Sequence, residues 1–589
     1  MDATPAAASP APEPPPSSRK AWESRLVFLL LIIAVNLAVF LPSMSGDFLW
    51  DDKYFISENP NILGSGFLRS FLSSPFGGFS GSDENSQRQD RIMQFYRPLV
   101  SLSYWLDFNV WGLNPAAFHL TNILLHIINV IILFYILSGL AFGPRPAFFG
   151  AVLFSVYPLH FENVSWISGR TDLLAFLFAG LATLFFIRFM DRPHRLDLPA
   201  SAAAFFLALL CKENAVILPL IFSFFLYKKN GRSRLAASLG PYGLAFIGWF
   251  LLRWNALGAA SAGASGRTVL DFLATIGYYG WKTVFPFKLS LTIDSFPVIH
   301  SALYRLLGAG MLAALGLSIW QGLRKSLAQG RPYWTYMSYA LLVLPSGLVV
   351  LSAAAISLLA WRFLYLASAV FIGALAWLFE SRLRPRALAS AALLLLTALY
   401  TGEIYPKNSQ FGHDEAAFWL SIKNPGREDA LARFNIAVKT LPADEKKALA
   451  LFETILSRPG HPLHGMLKTR IYEELAMFYA YKRDFSRAES YFNELFRTEG
   501  TQSLHSYFNY AYYLGLSGKK EDGEHLIRRL LGQFPRNHNA LVRAAKFYLI
   551  VRDYDQAAGL YAEDFRLFRT RQSRLLAEEA ARLARKTPS

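Results

Sequence analysis

Two adjacent aspartates, Asp51 and Asp52, follow directly after the first long apolar segment of the chain. Ionisable groups at membrane depth are costly, which makes them candidates for a functional role. Adjacent carboxylates point in different directions, so we expect at most one to enter a site as a general base while its neighbour orients a cation, a metal or a backbone group. The structural alternative is that the pair only caps or closes a loop.

Four cationic residues fall at the ends of later apolar segments, namely Arg97, Arg170, Lys212 and Arg362. Because the planar fork of arginine suits phosphate, this set is a candidate for holding a phosphate-bearing ligand. Arg362 is the first choice, since its neighbours in the sequence are apolar and aromatic and include Tyr365 one turn later. The alternative is that Arg362 caps a helix or extends to lipid headgroups.

Oppositely charged or polar neighbours accompany these cations. They are His160 with Glu162, Arg170 with Asp172, and Lys212 with Glu213. Such pairs either neutralise one another as structural bridges or take direct roles in a site. A divalent cation, Mg²⁺ or Mn²⁺, is a candidate cofactor for Asp51, Glu162 and His160 because oxygen-rich sites suit these ions, but no spacing requires a metal.

Composition indicates that two unlike parts carry these residues. The chain has 589 residues, 53% of them hydrophobic, a net charge of +17 and a mean hydropathy of +0.27, which excludes an intrinsically disordered chain. Residues 1–402 hold 30 bases and 19 acids, whereas residues 403–589 hold 29 and 23 in less than half the length. We therefore predict that the first part is embedded in a membrane and that the second part is soluble. The single cysteine, Cys211, excludes an intramolecular disulfide framework.

Eleven apolar segments are candidate spans. They are Leu26–Leu41, Leu120–Ala141, Phe148–Val156, Leu173–Ile187, Ala200–Leu210, Ala215–Leu226, Leu235–Leu252, Leu306–Ile319, Trp334–Leu351, Phe363–Leu378 and Ala387–Leu399. Several are shorter than the ~20 residues that cross a bilayer. Basic residues cluster in alternate connections, at 19–25, 145, 188–195, 228–234, 324–331 and 382–386. The positive-inside rule then places the amino terminus in the cytoplasm and the carboxy-terminal part outside.

That topology requires the apolar stretch Leu270–Phe287 not to span. We expect a re-entrant or interface-lying helix there, carrying Trp281 and Lys282 beside the lipid. The alternative is that this stretch spans and another short segment does not.

The soluble part repeats with a fixed period. Tyr472, Ala476, Phe485 and Ala488 align with Tyr507, Ala511, Lys520 and Gly523, and then with Leu541, Ala545, Tyr554 and Ala557, at offsets of 35 and 34 residues. This period is typical of the tetratricopeptide repeat, in which small residues let paired helices approach closely. Such stacks bind peptides or helices, or act only as a structural prop.

The motifs, taken in order, resemble one family. They are Trp50-Asp51-Asp52, Tyr96-Arg97-Pro98-Leu99, Pro158-Leu159-His160-Phe161-Glu162, Gly169-Arg170-Thr171-Asp172, Cys211-Lys212-Glu213 and Arg362-Phe363-Leu364-Tyr365-Leu366. With the helical repeats behind them, they resemble the transmembrane and tetratricopeptide-repeat family of C-type (GT-C) glycosyltransferases. Two departures are Tyr157 where the family often has His, and Trp361 where it often has Glu.

The resemblance implies a protein O-mannosyltransferase-like hexosyltransferase that uses a polyprenyl-phosphate sugar on the outer face. It places Asp51 and Asp52 in the active site as catalytic residues. We combine this with the residues above: Arg362, Arg97, Arg170 and Lys212 bind the donor phosphate, and a surrounding shell consists of His160, Glu162, Asp172, Glu213, Tyr365, Trp281 and Lys282. Expected partners are the lipid donor, membrane lipids and a protein or peptide acceptor recruited by the repeats, and not nucleic acid.

We therefore predict an all-α protein with a disordered cytoplasmic tail at 1–24, a GT-C-like membrane domain at 25–402 whose first outer loop is 43–117, and an outer repeat domain at 403–589. A bacterial inner membrane is the expected location. Two other functions stay open, a non-catalytic membrane scaffold or receptor and a polysaccharide ligase that uses a lipid-pyrophosphate donor.

Overall fold

The described part of the chain is almost entirely helical, as the sequence predicts. The computed structural model describes residues 18–57, 59–63, 67–73, 95–140, 143–257, 268–289, 293–294, 298, 301–329, 358–383, 385–413, 430–457, 464–497, 504–535, 537–568 and 571–586. Within these ranges the strands are β1 (Ile293–Asp294) and β2 (Leu358–Leu359), which pair antiparallel with Ile293 opposite Leu359.

In the described residues of the membrane part there are eleven main helices. They are α1 (Ser18–Phe40), α2 (Pro98–Trp111), α3 (Pro115–Gly139), α4 (Pro144–Ser155), α5 (Arg170–Asp191), α6 (Asp197–Leu209), α7 (Leu218–Leu257), α8 (Val269–Val284), α9 (Ala302–Gln329), α10 (Tyr365–Arg382) and α11 (Arg386–Phe411). Short helical turns connect them at Leu41–Ser45, Lys53–Ser57, Pro60–Leu63, Phe67–Ser70, Pro158–His160, Phe161–Val164, Ile167–Gly169, Glu213–Ile217 and Trp361–Leu364.

In the part of the chain that the structure describes, five helical segments are long and apolar enough to cross a bilayer. They are Arg25–Ser45, Pro115–Gly139, Ile167–Asp191, Leu235–Leu257 and Arg386–Phe411. Helices such as α4 and α6, with 12 and 13 residues, are about 18–20 Å long, which is less than a ~30 Å hydrocarbon core. The predicted span Trp334–Leu351 lies outside the described residues. The eleven segments predicted as spans are therefore apolar stretches, and several of them form helices too short to cross the bilayer alone.

Three continuous helices cross boundaries that the sequence predicted. The predicted spans Ala215–Leu226 and Leu235–Leu252 share one helix, α7, because the basic residues between them are good helix formers and continue the helix. Helix α1 begins at Ser18, inside the predicted tail, of which residues 1–17 lie outside the described residues. Helix α11 runs through the predicted domain boundary at 402–403 and ends at Phe411.

Among the described residues, the two largest apolar cores of the membrane part join most of its helices. One joins α1, α3, α4 and α10 through side chains such as Phe40, Phe134 and Phe154. The other joins α5, α6 and α7, where Phe186 and Phe222 stack with ring centroids 4.0 Å apart. The predicted lipid-facing segment forms α8, whose capping box at Thr268 and Asp271 fixes its start.

Four helix pairs and a final helix form the soluble part. The pairs are α12 (Ala430–Thr440) with α13 (Glu445–Leu456), α14 (His464–Tyr481) with α15 (Phe485–Arg497), α16 (Leu504–Leu516) with α17 (Lys520–Gln533), and α18 (His538–Ile550) with α19 (Tyr554–Phe568). The final helix is α20 (Arg571–Lys586).

The same turn closes the last three pairs. Its central residue has a left-handed backbone at Arg483, Gly518 and Arg552, with φ of 61°, 85° and 61°. The next amide donates back to a carbonyl five residues earlier, at 2.9 Å, 2.9 Å and 2.8 Å. This is a Schellman-type helix end, and it recurs at the offsets of 35 and 34 residues found in the sequence. Assignment of the pairs to the tetratricopeptide class stays a prediction.

Candidate active site

The loop after α1 holds the two aspartates in different environments. Asp52 is fully buried, and its carboxylate accepts hydrogen bonds from the Leu49 amide (3.0 Å), the Ser168 amide (2.7 Å) and the Ser168 hydroxyl. Burial raises the pKa of Asp52 to about 7. Because its oxygens are turned into the protein and occupied, Asp52 ties the loop to the turn before α5 and is not accessible to a substrate.

Asp51 is the partly exposed member of the pair. Burial raises the pKa of its carboxyl group, and the charge of Arg362 opposes this shift. Its side chain makes no hydrogen bond or ion pair within the described residues. The prediction that either aspartate serves as the base therefore narrows to Asp51.

A strained backbone sets the position of Asp51. The preceding residue, Trp50, has φ of +48°, a left-handed conformation that is unusual for a bulky side chain. Its ring packs edge-on against Trp166 (centroids 5.3 Å apart) and Phe411 (5.9 Å). Strain of this kind persists only where the surroundings enforce it.

Arg362 lies just before α10 and is held from the loop that precedes α5. Its amide donates to Glu162 Oε2 (3.0 Å), its guanidinium approaches the same oxygen (3.7 Å), and its carbonyl accepts from Asn163 Nδ2 (3.0 Å). The guanidinium carbon lies 4.9 Å from the centre of the Trp166 ring. Because the side chain is 28% exposed, its guanidinium is reachable from outside.

Two further ion pairs adjoin Arg362. Lys212 Nζ lies 2.6 Å from Asp172 Oδ1, with side chains only 2% and 4% exposed. Both Lys212 Nζ and the guanidinium of Arg362 contact the Phe363 ring, at 4.9 Å and 5.3 Å. The second pair is Arg97 with Glu213 (3.2 Å). Burial lowers the pKa of Lys212, and the positive charge of Arg97 lowers it further.

The structure thus brings eight of the predicted residues into one charged region from five separate parts of the sequence. They are Asp51, Asp52, Arg97, Glu162, Asp172, Lys212, Glu213 and Arg362.

Arg170 does not take the predicted role at a donor phosphate. It is fully buried, pairs with Asp107 (2.6 Å) and donates to Asn122 Oδ1 and the Phe118 carbonyl. Its position at the first turn of α5 directs the side chain into the bundle, where these acceptors satisfy it. We correct this prediction and assign Arg170 to packing α5 against α2 and α3.

His160 and Tyr365 also point into the bundle. His160 contacts the Phe154 carbonyl (2.9 Å) and Ser368 Oγ (2.8 Å), and the Tyr365 hydroxyl contacts His126 Nδ1 (2.6 Å). Both side chains are fully buried. Their expected places in the shell around a substrate are therefore corrected to a polar network inside the apolar core.

Trp281 and Lys282 lie on α8, apart from the charged region. Trp281 is 45% exposed and packs on Phe285 with centroids 4.5 Å apart. Lys282 donates to the Phe287 carbonyl (2.8 Å), so it closes the end of its own helix.

The residues predicted to hold a metal do not assemble. Asp51 and Glu162 flank Arg362, whereas both ring nitrogens of His160 face groups in the core. Within the described residues, no group of three or more His, Cys, Asp or Glu side chains is placed to hold a metal ion. These three residues therefore do not form a cation site.

Ser168 has no predicted role in the sequence, and Gly169 appears there only as part of a motif. Ser168 supplies two of the three hydrogen bonds to Asp52. A Cβ at Gly169 would lie 2.3 Å from the Glu162 carbonyl oxygen, so only glycine fits where these loops cross. The available signal was the Ser-Gly dipeptide directly before Arg170.

Comparisons with known proteins agree with this architecture. The model of the family described as dolichyl-phosphate-mannose-protein mannosyltransferase matches residues 97–254. Protein O-mannosyl-transferase TMTC1 of Mus musculus is 36% identical over 170 residues, which are 28% of this chain and 17% of that protein. Protein O-mannosyl-transferase F38B6.6 of Caenorhabditis elegans is 29% identical over 163 residues, 27% of this chain and 23% of that protein. The matched regions thus span about a fifth of these relatives.

Among solved structures, ArnT from Cupriavidus metallidurans bound to undecaprenyl phosphate is 15% identical, with a TM-score of 0.39, and covers 74% of this chain and 76% of that one. Five helical segments long and apolar enough to cross a bilayer indicate a multi-pass membrane protein, and residues 97–254 are similar to the mannosyltransferase family. The predicted resemblance to the TMTC protein O-mannosyl-transferases is confirmed over these matched regions.

Proposed function

We propose that this protein transfers a mannose-like hexose from a polyprenyl-phosphate donor to a Ser or Thr hydroxyl of a protein acceptor. The observation that carries the proposal is that Asp51, the partly exposed carboxyl group, lies within electrostatic reach of the accessible guanidinium of Arg362. A base and a phosphate-binding cation side by side are what this transfer requires.

The reaction needs a base for the acceptor and charge for the leaving group. Asp51 accepts the proton of the acceptor hydroxyl, whose oxygen forms a bond to C1 of the sugar while the bond from C1 to the phosphate oxygen breaks. The donor leaves as polyprenyl phosphate with the electron pair of that bond. Arg362 neutralises the charge that develops on it, since an arginine fork binds phosphate oxygens in pairs.

The neighbouring groups keep these two in place. Glu162 orients Arg362 through its amide and its guanidinium. Asp52 holds the Asp51 loop against the turn at Ser168. Lys212 and Arg97 place two further positive charges close to these groups. Each of these charges is balanced by a carboxylate, Asp172 for Lys212 and Glu213 for Arg97.

The location of the reaction completes the proposal. The similarity of residues 97–254 to dolichyl-phosphate-mannose-protein mannosyltransferases, and of the chain to protein O-mannosyl-transferases, supports a lipid-linked sugar as donor and a protein as acceptor. We place the site on the outer face of a bacterial inner membrane, with the amino terminus in the cytoplasm. The helix pairs lie on the same side as the site and recruit the acceptor.

The test is sugar transfer by the purified full chain in neutral detergent, with radiolabelled polyprenyl-phosphate mannose and a Ser/Thr-rich peptide. We expect Asp51→Asn to lower kcat by about 10²–10⁴-fold, the range of general base catalysis. The matched control is Asp47→Asn, an exposed aspartate of the same loop, which should keep wild-type turnover.

Three outcomes would overturn the proposal. Full activity of a folded Asp51→Asn variant excludes this base. Wild-type protein that transfers sugar only from a lipid-pyrophosphate donor is a polysaccharide ligase, and wild-type protein inactive with both donors is a scaffold.

A further inference from the structure

The backbone that carries Arg362 is held by side chains from two distant parts of the sequence. Tyr279 on α8 donates its hydroxyl to the Ala360 carbonyl (3.1 Å) and accepts from the Ala360 amide (3.0 Å). Glu162, from the loop before α5, accepts from the amides of Trp361 and Arg362. Three consecutive amides, at residues 360–362, are thus bound by side chains.

The two hydrogen bonds of Tyr279 lie inside the protein. Tyr279 is 0% exposed and Ala360 is 5% exposed, so water does not reach these groups to replace a lost hydroxyl. Removing that hydroxyl leaves a buried amide and a buried carbonyl unsatisfied, which a folded protein avoids by moving the segment. The guanidinium of Arg362 is 28% exposed and lies 3.7 Å from Glu162. The backbone of this segment is therefore fixed while its cationic end stays free to meet a ligand.

Neighbouring contacts fix the position of Tyr279 itself. The ring of Tyr278 stacks on that of Trp361, with centroids 5.8 Å apart and planes inclined by 29°. One residue earlier, a Cβ at Gly277 would collide with the Tyr304 carbonyl oxygen of α9, so the two helices touch through their backbones at this point. Helix α8 is thus anchored directly beside the residue that reaches Ala360.

We propose that Tyr279 is a positioning residue, which holds Arg362 where it meets the donor phosphate. It acts through the peptide group of Ala360 and does not touch the substrate. A cation that is already in place when charge develops on the leaving group needs no reorganisation, which is why fixed groups stabilise a transition state. The inference rests on the proposed function and adds the group that fixes the phosphate-binding cation.

The chain offers a matched control for this hydroxyl. Phenylalanine fills the same space as tyrosine, so Tyr279→Phe removes the two hydrogen bonds and keeps the ring. Tyr242 on α7 is also buried, and its hydroxyl donates to Ser201 Oγ (2.7 Å) within the core of α5, α6 and α7. Tyr242→Phe therefore removes a buried hydrogen bond of the membrane part that has no contact with Arg362.

The kinetic test uses sugar transfer by the purified full chain with polyprenyl-phosphate mannose and the acceptor peptide. We expect Tyr279→Phe to lower kcat/KM for the donor at least about tenfold, since misplacement by about 1 Å can cost 10²-fold, and to change KM for the acceptor less than about twofold. In the Arg362→Gln background the same substitution should lower kcat/KM less than about twofold, because the hydroxyl acts through Arg362. Tyr242→Phe should keep wild-type kinetics.

Amide hydrogen exchange separates this inference from the reaction. The fragment covering residues 358–364 should exchange at least about tenfold faster in Tyr279→Phe than in wild-type protein, and at the wild-type rate in Tyr242→Phe. Unchanged exchange of this fragment, faster exchange spread over the whole chain, or an equal loss of kcat/KM in the wild-type and Arg362→Gln backgrounds would overturn the proposal. Wild-type protein that transfers no sugar would overturn the proposed function instead, and exchange at residues 358–364 would still decide whether Tyr279 holds this segment.

Discussion

The buried pair of Lys212 and Asp172 offers the sharpest quantitative test of the site. The two charged atoms are 2.6 Å apart and the side chains are 2% and 4% exposed, so water does not screen them. Removing one partner leaves the other charge buried and unpaired, which costs about 3–5 kcal/mol. We therefore expect Lys212→Met and Asp172→Leu each to lower the free energy of unfolding by about that amount.

The double variant should behave differently. With both charges replaced by apolar groups of similar volume, stability should return to within about 1 kcal/mol of wild type or exceed it. The coupling energy from the double-mutant cycle should then be at least about 3 kcal/mol. The assay is equilibrium unfolding of the purified chain in graded denaturing detergent, followed by tryptophan fluorescence.

An exposed pair provides the control. Arg497 and Glu494 are 2.9 Å apart but 76% and 45% exposed, so Arg497→Met should cost less than about 1 kcal/mol. Single variants as mild as this control, or additive effects in the cycle, would refute the argument from burial. The activity of the refolded double variant then tests whether Lys212 also binds the donor phosphate. If the double variant is stable but inactive, the charge of Lys212 is needed for more than folding.

Two further predictions concern the reaction, and a third concerns stability. Since Asp51 must be deprotonated to act as a base and its pKa is raised by burial, turnover should rise with pH through that raised pKa, and a pH–rate profile with no rise on its acidic side would contradict this. Arg362→Lys keeps the charge but loses the paired donors, so kcat/KM for the donor should fall about tenfold, and Arg362→Gln should fall further; equal activity of all three proteins would exclude phosphate binding there. Gly169→Ala places a methyl group 2.3 Å from the Glu162 carbonyl oxygen and should lower the thermal unfolding midpoint, which a fluorescence melt measures against Gly465→Ala, where a Cβ meets no atom within 4 Å.

The sequence anticipated the charged region but not the division of work within it. Asp51 and Asp52 are adjacent in one loop and carry the same side chain, so the sequence alone does not distinguish their roles. Only the contact with Ser168, 116 residues away, turns Asp52 into the protein and leaves Asp51 accessible. Arg170 failed as a phosphate ligand for the same reason, because its partner Asp107 comes from another helix.

Helix ends were similarly ambiguous. The basic residues at 228–234 are compatible with a cytoplasmic loop and equally with the interior of a helix. Lys and Arg are good helix formers, and they are also enriched in cytoplasmic loops. The structure resolves this in favour of one helix from Leu218 to Leu257. By contrast, the 35- and 34-residue offsets of the soluble part fixed the positions of its turns, because each turn depends on residues close in the chain.

By itself, the sequence determined what depends on composition and local order. Apolar segments require a membrane, the repeat period requires paired helices, and the ordered motifs indicate the family. The tertiary structure alone decided which charges meet, which are buried and which stay reachable. The physical reason is that burial and pairing depend on groups far apart in the chain, as Glu162 and Arg362 are, so no local pattern records them.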